Sequence, residues 1–229
     1  MSQGNIDYVI NHNPEVDPEK LMLLPNWQKV YPRIEKNELI KEKYGLKGKY
    51  VAIFGGNIGE PQKIENIVSL ASVYKDNDHI VFVIIGSGTK KNSLLQLVAE
   101  RKLKNVIIMD QIPRNDYQKL VSSADIGLIS LNEKFTIPNI PSKTLSYFNA
   151  GIPILACVDA RTDYGQILES SRSGLWSVAG DMETYKSNFE KLYNDAELRR
   201  EMGENGYQYH VNNLTPHNIY QLIMESIKN

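Results

Sequence analysis

Six short runs of apolar, largely β-branched residues recur along the chain, and amphipathic stretches separate them. The runs lie at residues 50–54, 80–85, 106–109, 125–131, 153–158 and 175–178. Nearly continuous apolar runs are typical of parallel strands that are covered on both faces. Between the first two runs, Ile64, Ile67 and Ala71 keep the spacing of one helix face. The alternation predicts an α/β fold: a Rossmann-like, doubly wound parallel sheet of about six strands with helices on both faces.

Both ends of the chain depart from this alternation. Residues 1–49 contain a predicted helix at 5–11 and a short apolar run at 21–24 that we interpret as a short strand, and a lysine-rich stretch follows. We predict that 1–49 is a linker segment entering a domain formed by residues 50–229. The lysines of the stretch are Lys36, Lys41, Lys43, Lys47 and Lys49. They could contact anionic lipid, but a solvated helix face is the commoner meaning. From residue 182 onward three successive helices predict a helical C-terminus.

Charge and cysteine content exclude several classes of protein. Twenty-six basic residues against 27 acidic residues give a net charge of -1, so no overall field favours nucleic acid. The single cysteine, Cys157, cannot pair within the chain, which favours a reducing compartment. No apolar run approaches the ~18–20 residues of a membrane span, and the first residues lack a signal-peptide pattern. We therefore expect a soluble, cytoplasmic protein.

The loop after the first run is rich in glycine. Ligands of open parallel sheets bind at the carboxyl ends of the strands, so this loop is a candidate site. Residues 55–63 read GGNIGEPQK. Glycines let the backbone approach a phosphate, the helix that follows would aim free N–H groups at it, and Lys63 would add charge. A tight strand-to-helix turn explains the glycines equally well.

Two further loops carry weaker signals. Gly86-Ser87-Gly88 follows the second run, but the third glycine of a dinucleotide fingerprint is replaced by Lys91, and no P-loop occurs. Residues 110–113 follow the third run and offer backbone groups to the edge of a base, although an ordinary loop would look the same.

The connection at residues 138–153 points most clearly to a ligand. Ser142 is predicted to cap a helix that Gly151 ends. Lys143 then falls in the first turn, where the helix dipole disfavours a cation. A lysine there suggests an anionic partner such as a phosphate, with an exposed lysine that binds nothing as the alternative.

Other chemistries find no support in the sequence. The four histidines lack metal-ligand spacing, so we expect no metal. Asp76-Asn77-Asp78 spells a D-x-D motif, but it precedes a strand and therefore lies at the wrong end of the sheet. The G-x-S-x-G motif of many hydrolases does not occur in the sequence.

Taken in order, these segments resemble a known family. The segments are GGNIGEPQK, GSG, VIIMDQIP, ADIGLISL, PSKTLSYFNAGIPILA and SGLWSVAGD. Together they resemble the C-terminal, nucleotide-sugar-binding domain of GT-B glycosyltransferases, in particular the bacterial family-4 type of capsule, exopolysaccharide and lipopolysaccharide synthesis. The similarity begins near Leu21, and Leu24-Pro25-Asn26-Trp27 matches the segment by which such enzymes enter this domain.

The resemblance implies a donor site that can be carried over residue by residue. Against the diphosphate would lie Gly56, Asn57, Gly59, Gln62, Lys63, Ser142 and Lys143. Near the base and ribose would lie Gly86, Gln111, Ile112, Pro113, Ser146 and Tyr147. The paired glutamates of the wider family would fall at Pro138 and Ser146, and neither residue is acidic.

The implied function is transfer of a sugar from a UDP-linked donor to a glycan or lipid-linked acceptor in surface polysaccharide synthesis, without a metal or other cofactor. The N-terminal, acceptor-binding domain of such enzymes is expected to carry the catalytic base, and it is absent here, so no catalytic residue is assigned. That domain, or an equivalent chain, is the expected partner. Peripheral association of the full enzyme with the inner face of the membrane is also implied.

Two alternatives remain open at this point. A UDP-sugar 2-epimerase shares the two-domain plan, but it would need carboxylates and a histidine in the cleft, and the loops quoted above supply none. A non-catalytic nucleotide-binding or interaction module is favoured by Pro138 and Ser146.

Overall fold

A six-stranded parallel sheet forms the centre of the molecule in a computed structural model that describes residues 1–228. The strands are β1 (Tyr50–Asn57), β2 (Ile80–Ser87), β3 (Val106–Met109), β4 (Ile126–Ser130), β5 (Ile154–Val158) and β6 (Gly174–Val178). Their order is β3-β2-β1-β4-β5-β6, and every neighbouring pair is parallel. The predicted Rossmann-like, doubly wound fold is confirmed, and the strand order reverses between β1 and β4.

Helices connect the strands and extend the chain beyond the sheet. They are α1 (Gln3–His12), α2 (Glu38–Lys43), α3 (Glu65–Val73), α4 (Lys91–Glu100), α5 (Arg114–Ser123), α6 (Thr144–Ala150), α7 (Tyr164–Ser170), α8 (Met182–Asn194), α9 (Ala196–Asn213) and α10 (Pro216–Lys228). The last three follow one another without a strand, as the sequence predicts. Within residues 1–228 no helix is both long and apolar enough to span a bilayer.

The hydrophobic core lies on both faces of the sheet. Successive strand residues point to opposite faces, so Ala52 and Phe54 pack on one side of β1 while Val51 and Ile53 pack on the other. Helices α3, α4 and α8 cover the first side, and α2, α5, α6 and α7 cover the second. Strand β1 is buried from Tyr50 to Gly55, and its exposed end at Gly56 and Asn57 lies where the cavity described below opens.

The first 49 residues pack along the sheet domain. The predicted helix at 5–11 is present as α1, but residues 21–24 form no strand, which corrects that prediction. These residues pair with no strand of the sheet, and single hydrogen bonds anchor the residues that follow them. Asn26 Nδ2 donates to the carbonyl oxygen of Ile140 (3.1 Å), and the Gln28 N–H donates to that of Leu214 (3.0 Å).

The lysine-rich stretch is tied to the protein surface. Each of the five lysines donates to a protein oxygen, and Lys41 is buried, with its ammonium 2.8 Å from the carbonyl oxygen of Lys49. The prediction of a solvated helix face is therefore wrong for Lys41.

Candidate functional site

A cavity of about 800 Å³ opens at the carboxyl edge of the sheet, beside the point where the strand order reverses. Ligands of doubly wound sheets bind at such a switch point. Residues from the ends of β1 and β2, the loop after β3, the loop before α6, α6 itself and the linker at Trp27 and Gln28 line it. The topology therefore brings together four of the loops that the sequence singles out.

Two glycines form the floor of the cavity where β1 and β2 end. Gly56 and Gly86 are register partners, with φ of +138° and +157°. A Cβ atom on Gly86 would lie 1.8 Å from the carbonyl oxygen of Gly56, which leaves no room for a side chain. The close approach exposes backbone groups to the cavity, as the glycine pattern predicts.

Lys143 extends over this floor from the loop before α6. Its Nζ lies 4.1 Å from the centroid of the Phe54 ring, and its Cε lies 3.4 Å from the position that a Cβ on Gly56 would occupy. Within residues 1–228 no protein acceptor faces this ammonium group. Desolvation by the surrounding atoms lowers the pKa of Lys143 to about 8. The site therefore holds a cation that lacks a counter-charge.

The start of α6 differs from the sequence prediction. The helix begins at Thr144 with Lys143 in the capping position, and the Ser142 side chain does not cap it, which corrects that prediction. Gly151 ends the helix with φ of +68°, as predicted. Ser142 nevertheless lines the cavity beside Lys143.

The lining of the cavity carries positive charge only. Lys143 and Arg114 are its two cations, and no aspartate, glutamate or histidine lines it among the described residues. Neighbouring lysines are neutralised outside the cavity, since Lys90 pairs with Glu60 and Lys91 with Asp110. A cavity of this charge favours an anionic ligand.

Lys63 and Gly59 lie outside the lining of the cavity, so the lining does not support their predicted place against a diphosphate. Lys63 ends a short 3₁₀ turn with φ of +38°, and its ammonium pairs with Glu133. Gln62, one position earlier, does line the cavity, and its Oε1 accepts a hydrogen bond from Asn57 Nδ2 (3.2 Å).

Ser146 and Tyr147 point in different directions because adjacent helical residues are about 100° apart. Ser146 lines the cavity, one turn from Lys143 on the same face of α6. Tyr147 is fully buried, and its hydroxyl donates to the carbonyl oxygens of Ile53 (3.1 Å) and Leu128 (3.2 Å). The prediction that Tyr147 lies near a ribose is therefore wrong, and the residue instead fixes α6 to the sheet.

Tyr147→Phe is expected to lower the free energy of unfolding by about 1–2 kcal/mol, since the one buried hydroxyl proton that the Ile53 and Leu128 carbonyl oxygens share is lost. Urea denaturation measures the change. Binding of a ligand in the cavity should be unaltered, and a large loss of binding with unchanged stability would restore the ligand-contact interpretation.

The remaining predicted residues divide in the same way. Gly86, Gln111 and Ile112 line the cavity and Pro113 lies next to its lining, so the predicted contacts of these residues with the base and ribose stay predictions. Sequence reasoning missed Arg114 and Tyr117 of α5, although Arg114 follows the loop after β3 and the carboxyl-edge rule could have found it. Trp27 and Gln28 carried no such signal, because their place depends on how the linker folds back.

Metal ligands are not clustered in the described part of the chain: no three histidine, cysteine, aspartate or glutamate side chains come together there. That a ligand binds here without a metal stays a prediction.

Comparison with known proteins gives the family. The model for "Glycosyl transferases group 1" matches residues 36–209. The chain is 27% identical over 161 residues to the probable glycosyltransferase WbjE of Pseudomonas aeruginosa, covering 69% of this chain and 40% of the relative. It is 25% identical over 163 residues to the putative colanic acid biosynthesis glycosyl transferase WcaI of Escherichia coli K12, covering 68% of this chain and 39% of the relative. The chain thus spans about 40% of the length of these curated relatives.

A solved structure agrees with the fold. A TarM mutant from S. aureus, in complex with fondaparinux, α-GlcNAc-glycerol and UDP, superposes with a TM-score of 0.78 at 13% identity, covering all of this chain and 43% of that one. The cavity at the switch point, the parallel sheet around it and a family match over more than half of the sequence lead to one conclusion: the chain belongs to the group 1 glycosyl transferases.

Proposed function

We propose that this chain is the donor-binding part of a glycosyltransferase that moves a sugar from a UDP-linked donor to a glycan or lipid-linked acceptor in surface polysaccharide synthesis. The observation that carries the proposal is Lys143, a cation without a counter-charge over a glycine floor at the switch point of the sheet. The UDP in the S. aureus complex and the colanic acid pathway named for the E. coli relative support the choice of donor and product.

Lys143 has a direct role in this proposal. When the bond between the sugar and the diphosphate breaks, negative charge grows on the departing nucleoside diphosphate. A preorganised cation in a partly desolvated site stabilises that charge in the transition state. The exposed backbone at Gly56 lets the diphosphate approach closely. Neutralisation by Lys143 is the reason that the proposal includes no metal cofactor.

The acceptor site and the catalytic base are proposed to lie on a second domain or an equivalent chain, since this chain spans about 40% of its relatives. This chain alone is then expected to bind the nucleotide weakly and to transfer no sugar. Restored transfer when that domain is added in trans would support an enzyme. Its failure would favour a non-catalytic binding module, the alternative that Pro138 and Ser146 suggest. An epimerase would need carboxylates and a histidine in the cavity, and among the described residues none lines it.

Titration calorimetry of UDP, GDP, ADP and NAD against the purified chain tests the proposal. UDP is expected to bind, because two cations and no carboxylate line the cavity in the described chain. A chain that binds none of the four, or that prefers NAD, would contradict the proposed donor.

UDP affinity is expected to fall as the pH rises above about 8, because Lys143 then loses its proton. The loss should approach tenfold per pH unit until the pKa of the lysine in the complex is reached, while the phosphates of UDP are fully ionised above about pH 7 and its uracil imide keeps its proton up to about pH 9. Stability has the opposite dependence. The pKa is lowered from 10.5, so between pH 8 and 10.5 the unfolded chain binds more protons than the folded chain, and the free energy of unfolding rises with pH.

Calorimetry between about pH 7.5 and 9, where the uracil imide keeps its proton, measures the affinity profile, with Lys143→Arg as the control. Arginine keeps its charge throughout this range, so the variant should show a flat profile. A wild-type profile as flat as that of the variant would remove Lys143 from the site.

A further inference from the structure

Lys143 differs from the lysines of the neighbouring loops because no carboxylate within residues 1–228 pairs with it. Its Nζ lies over the Phe54 ring, 4.1 Å from the centroid. The lysines that follow β1 and β2 pair instead with acidic side chains: Lys63 with Glu133, Lys90 with Glu60 and Lys91 with Asp110. An ammonium group held in an ion pair stays protonated and is not a nucleophile. Lys143 is free of that restraint.

The Lys143 side chain is also available as a neutral amine. Burial lowers its pKa to about 8, so about half of it is free amine at pH 8. A lysine with the ordinary pKa of about 10.4 is less than about 1% free amine at that pH. Desolvated lysines of this kind serve as nucleophiles in enzymes. Lys143 therefore needs no separate base to react with an electrophile.

The cavity around Lys143 selects electrophiles by charge. Arg114 is the second cation of the lining, and among the described residues no aspartate or glutamate lines it. Arg114 keeps its charge when Lys143 loses a proton, so the cavity still attracts an anion when the amine is reactive. A volume of about 800 Å³ admits a small phosphorylated molecule. An acyl phosphate combines the two properties required, an anionic phosphate and an electrophilic carbonyl carbon.

We propose that Lys143 is an acylation site, at which an acyl phosphate drawn into the cavity transfers its acyl group to the lysine Nζ. The neutral amine attacks the carbonyl carbon, and a nitrogen–carbon bond forms as the bond from that carbon to the phosphate oxygen breaks. The electron pair of the broken bond leaves with inorganic phosphate, and the nitrogen releases one proton to water. The product is a neutral amide, so the cavity loses the cation at Lys143.

Acylation of Lys143 would prevent donor binding, and this consequence rests on the proposed function. UDP affinity of the acylated chain is expected to fall about 10- to 100-fold, the loss of one charge-assisted interaction. In the other direction, a diphosphate in the cavity would keep the proton on Lys143 and cover its Nζ. The donor and the acyl group would therefore exclude each other.

Incubation of the purified chain with acetyl phosphate at pH 8, followed by peptide mapping in a mass spectrometer, tests the acylation site. Lys143 should be acetylated at least about tenfold faster than Lys90, because its larger fraction of free amine outweighs the lower nucleophilicity of a less basic amine. Lys90 is the matched control: its side chain is 43% exposed to the reagent, and its pKa is raised by the hydrogen bond with Glu60. Excess pyrophosphate should slow the reaction at Lys143 and not at Lys90. A rate at Lys143 no higher than that at Lys90 would overturn the proposal.

Arg114→Gln separates recruitment by the cavity from the reactivity of the amine. The variant should slow acetylation of Lys143 by acetyl phosphate about three- to tenfold, because one attracting charge is lost. With the neutral reagent N-hydroxysuccinimide acetate, the rate at Lys143 should stay within about twofold of the unsubstituted chain. Equal rates of the variant and the unsubstituted chain with acetyl phosphate, or equal slowing with both reagents, would show that the cavity does not recruit the acyl phosphate.

Calorimetry of UDP with the acetylated chain distinguishes failure of this proposal from failure of the proposed function. If Lys143 is acetylated selectively and UDP binds as before, the acylation site stands and the role of Lys143 in donor binding fails. If UDP binds and Lys143 is not acetylated selectively, the proposed function stands and the acylation site fails.

Discussion

Lys143→Ala is expected to weaken UDP binding by about 10- to 100-fold, the cost of one charge-assisted interaction of about 1.5–3 kcal/mol. The ammonium has no acceptor of its own within the described chain, so the diphosphate would be its first counter-charge. Titration calorimetry at pH 7 measures the loss. The free energy of unfolding should change by less than about 1 kcal/mol, because removal of a partly desolvated charge offsets loss of the contact with the Phe54 ring.

The matched control is Lys63→Ala. Lys63 lies in the loop that follows β1 and was a sequence candidate for the same diphosphate, but it pairs with Glu133 outside the cavity. UDP binding to this variant should stay within about twofold of the unsubstituted chain. Equal losses in the two variants would show that general positive charge, and not the position of Lys143, governs binding.

Gly86→Ala is expected to lower the free energy of unfolding by about 3 kcal/mol and to abolish nucleotide binding. Its Cβ would lie 1.8 Å from the carbonyl oxygen of Gly56, so β1 and β2 must separate where they form the cavity floor. Overpacking against a backbone atom costs this much because no side chain can move aside. Urea denaturation and UDP titration measure the two effects.

Gly48→Ala is the control that measures the cost of a positive φ without a steric clash. Gly48 also has a positive φ, +69°, but nothing lies within 4 Å of a Cβ placed on it. The substitution should cost about 1–2 kcal/mol from the left-handed conformation alone and leave UDP binding intact. If Gly86→Ala costs no more than Gly48→Ala, the strand ends are less tightly apposed than the structure indicates.

The sequence predicted the sheet well because a strand that is buried on both faces is a nearly continuous apolar run. Each of the six strands overlaps one of the apolar runs, and Gly151 ends α6 where the left-handed residue was expected. Lys143 was also identified from sequence, since a cation at the start of a helix is electrostatically out of place. These features follow from residues close together in sequence and from the rule that ligands bind at the carboxyl ends of parallel strands.

The sequence predictions fail at the site where a residue's position depends on which way its side chain points or on a contact with a residue far away in sequence. Ser146 and Tyr147 are neighbours in sequence, and only the register of α6 decides which one faces the cavity. The sequence did not indicate that Lys63 pairs with Glu133, because this partner lies 70 residues away in sequence. Gln28 lines the cavity, and its backbone is hydrogen-bonded to the Leu214 carbonyl oxygen and to His210 Nε2, near the other end of the chain. Single-sequence patterns do not encode such contacts.

A crystal structure of this chain with UDP would show whether Lys143 binds the diphosphate. We expect the diphosphate to lie at the carboxyl ends of β1 and β2, above Gly56, with Lys143 Nζ within hydrogen-bonding distance of a phosphate oxygen. UDP bound elsewhere on the chain, or bound at the cavity with Lys143 turned away from the phosphates, would contradict this expectation.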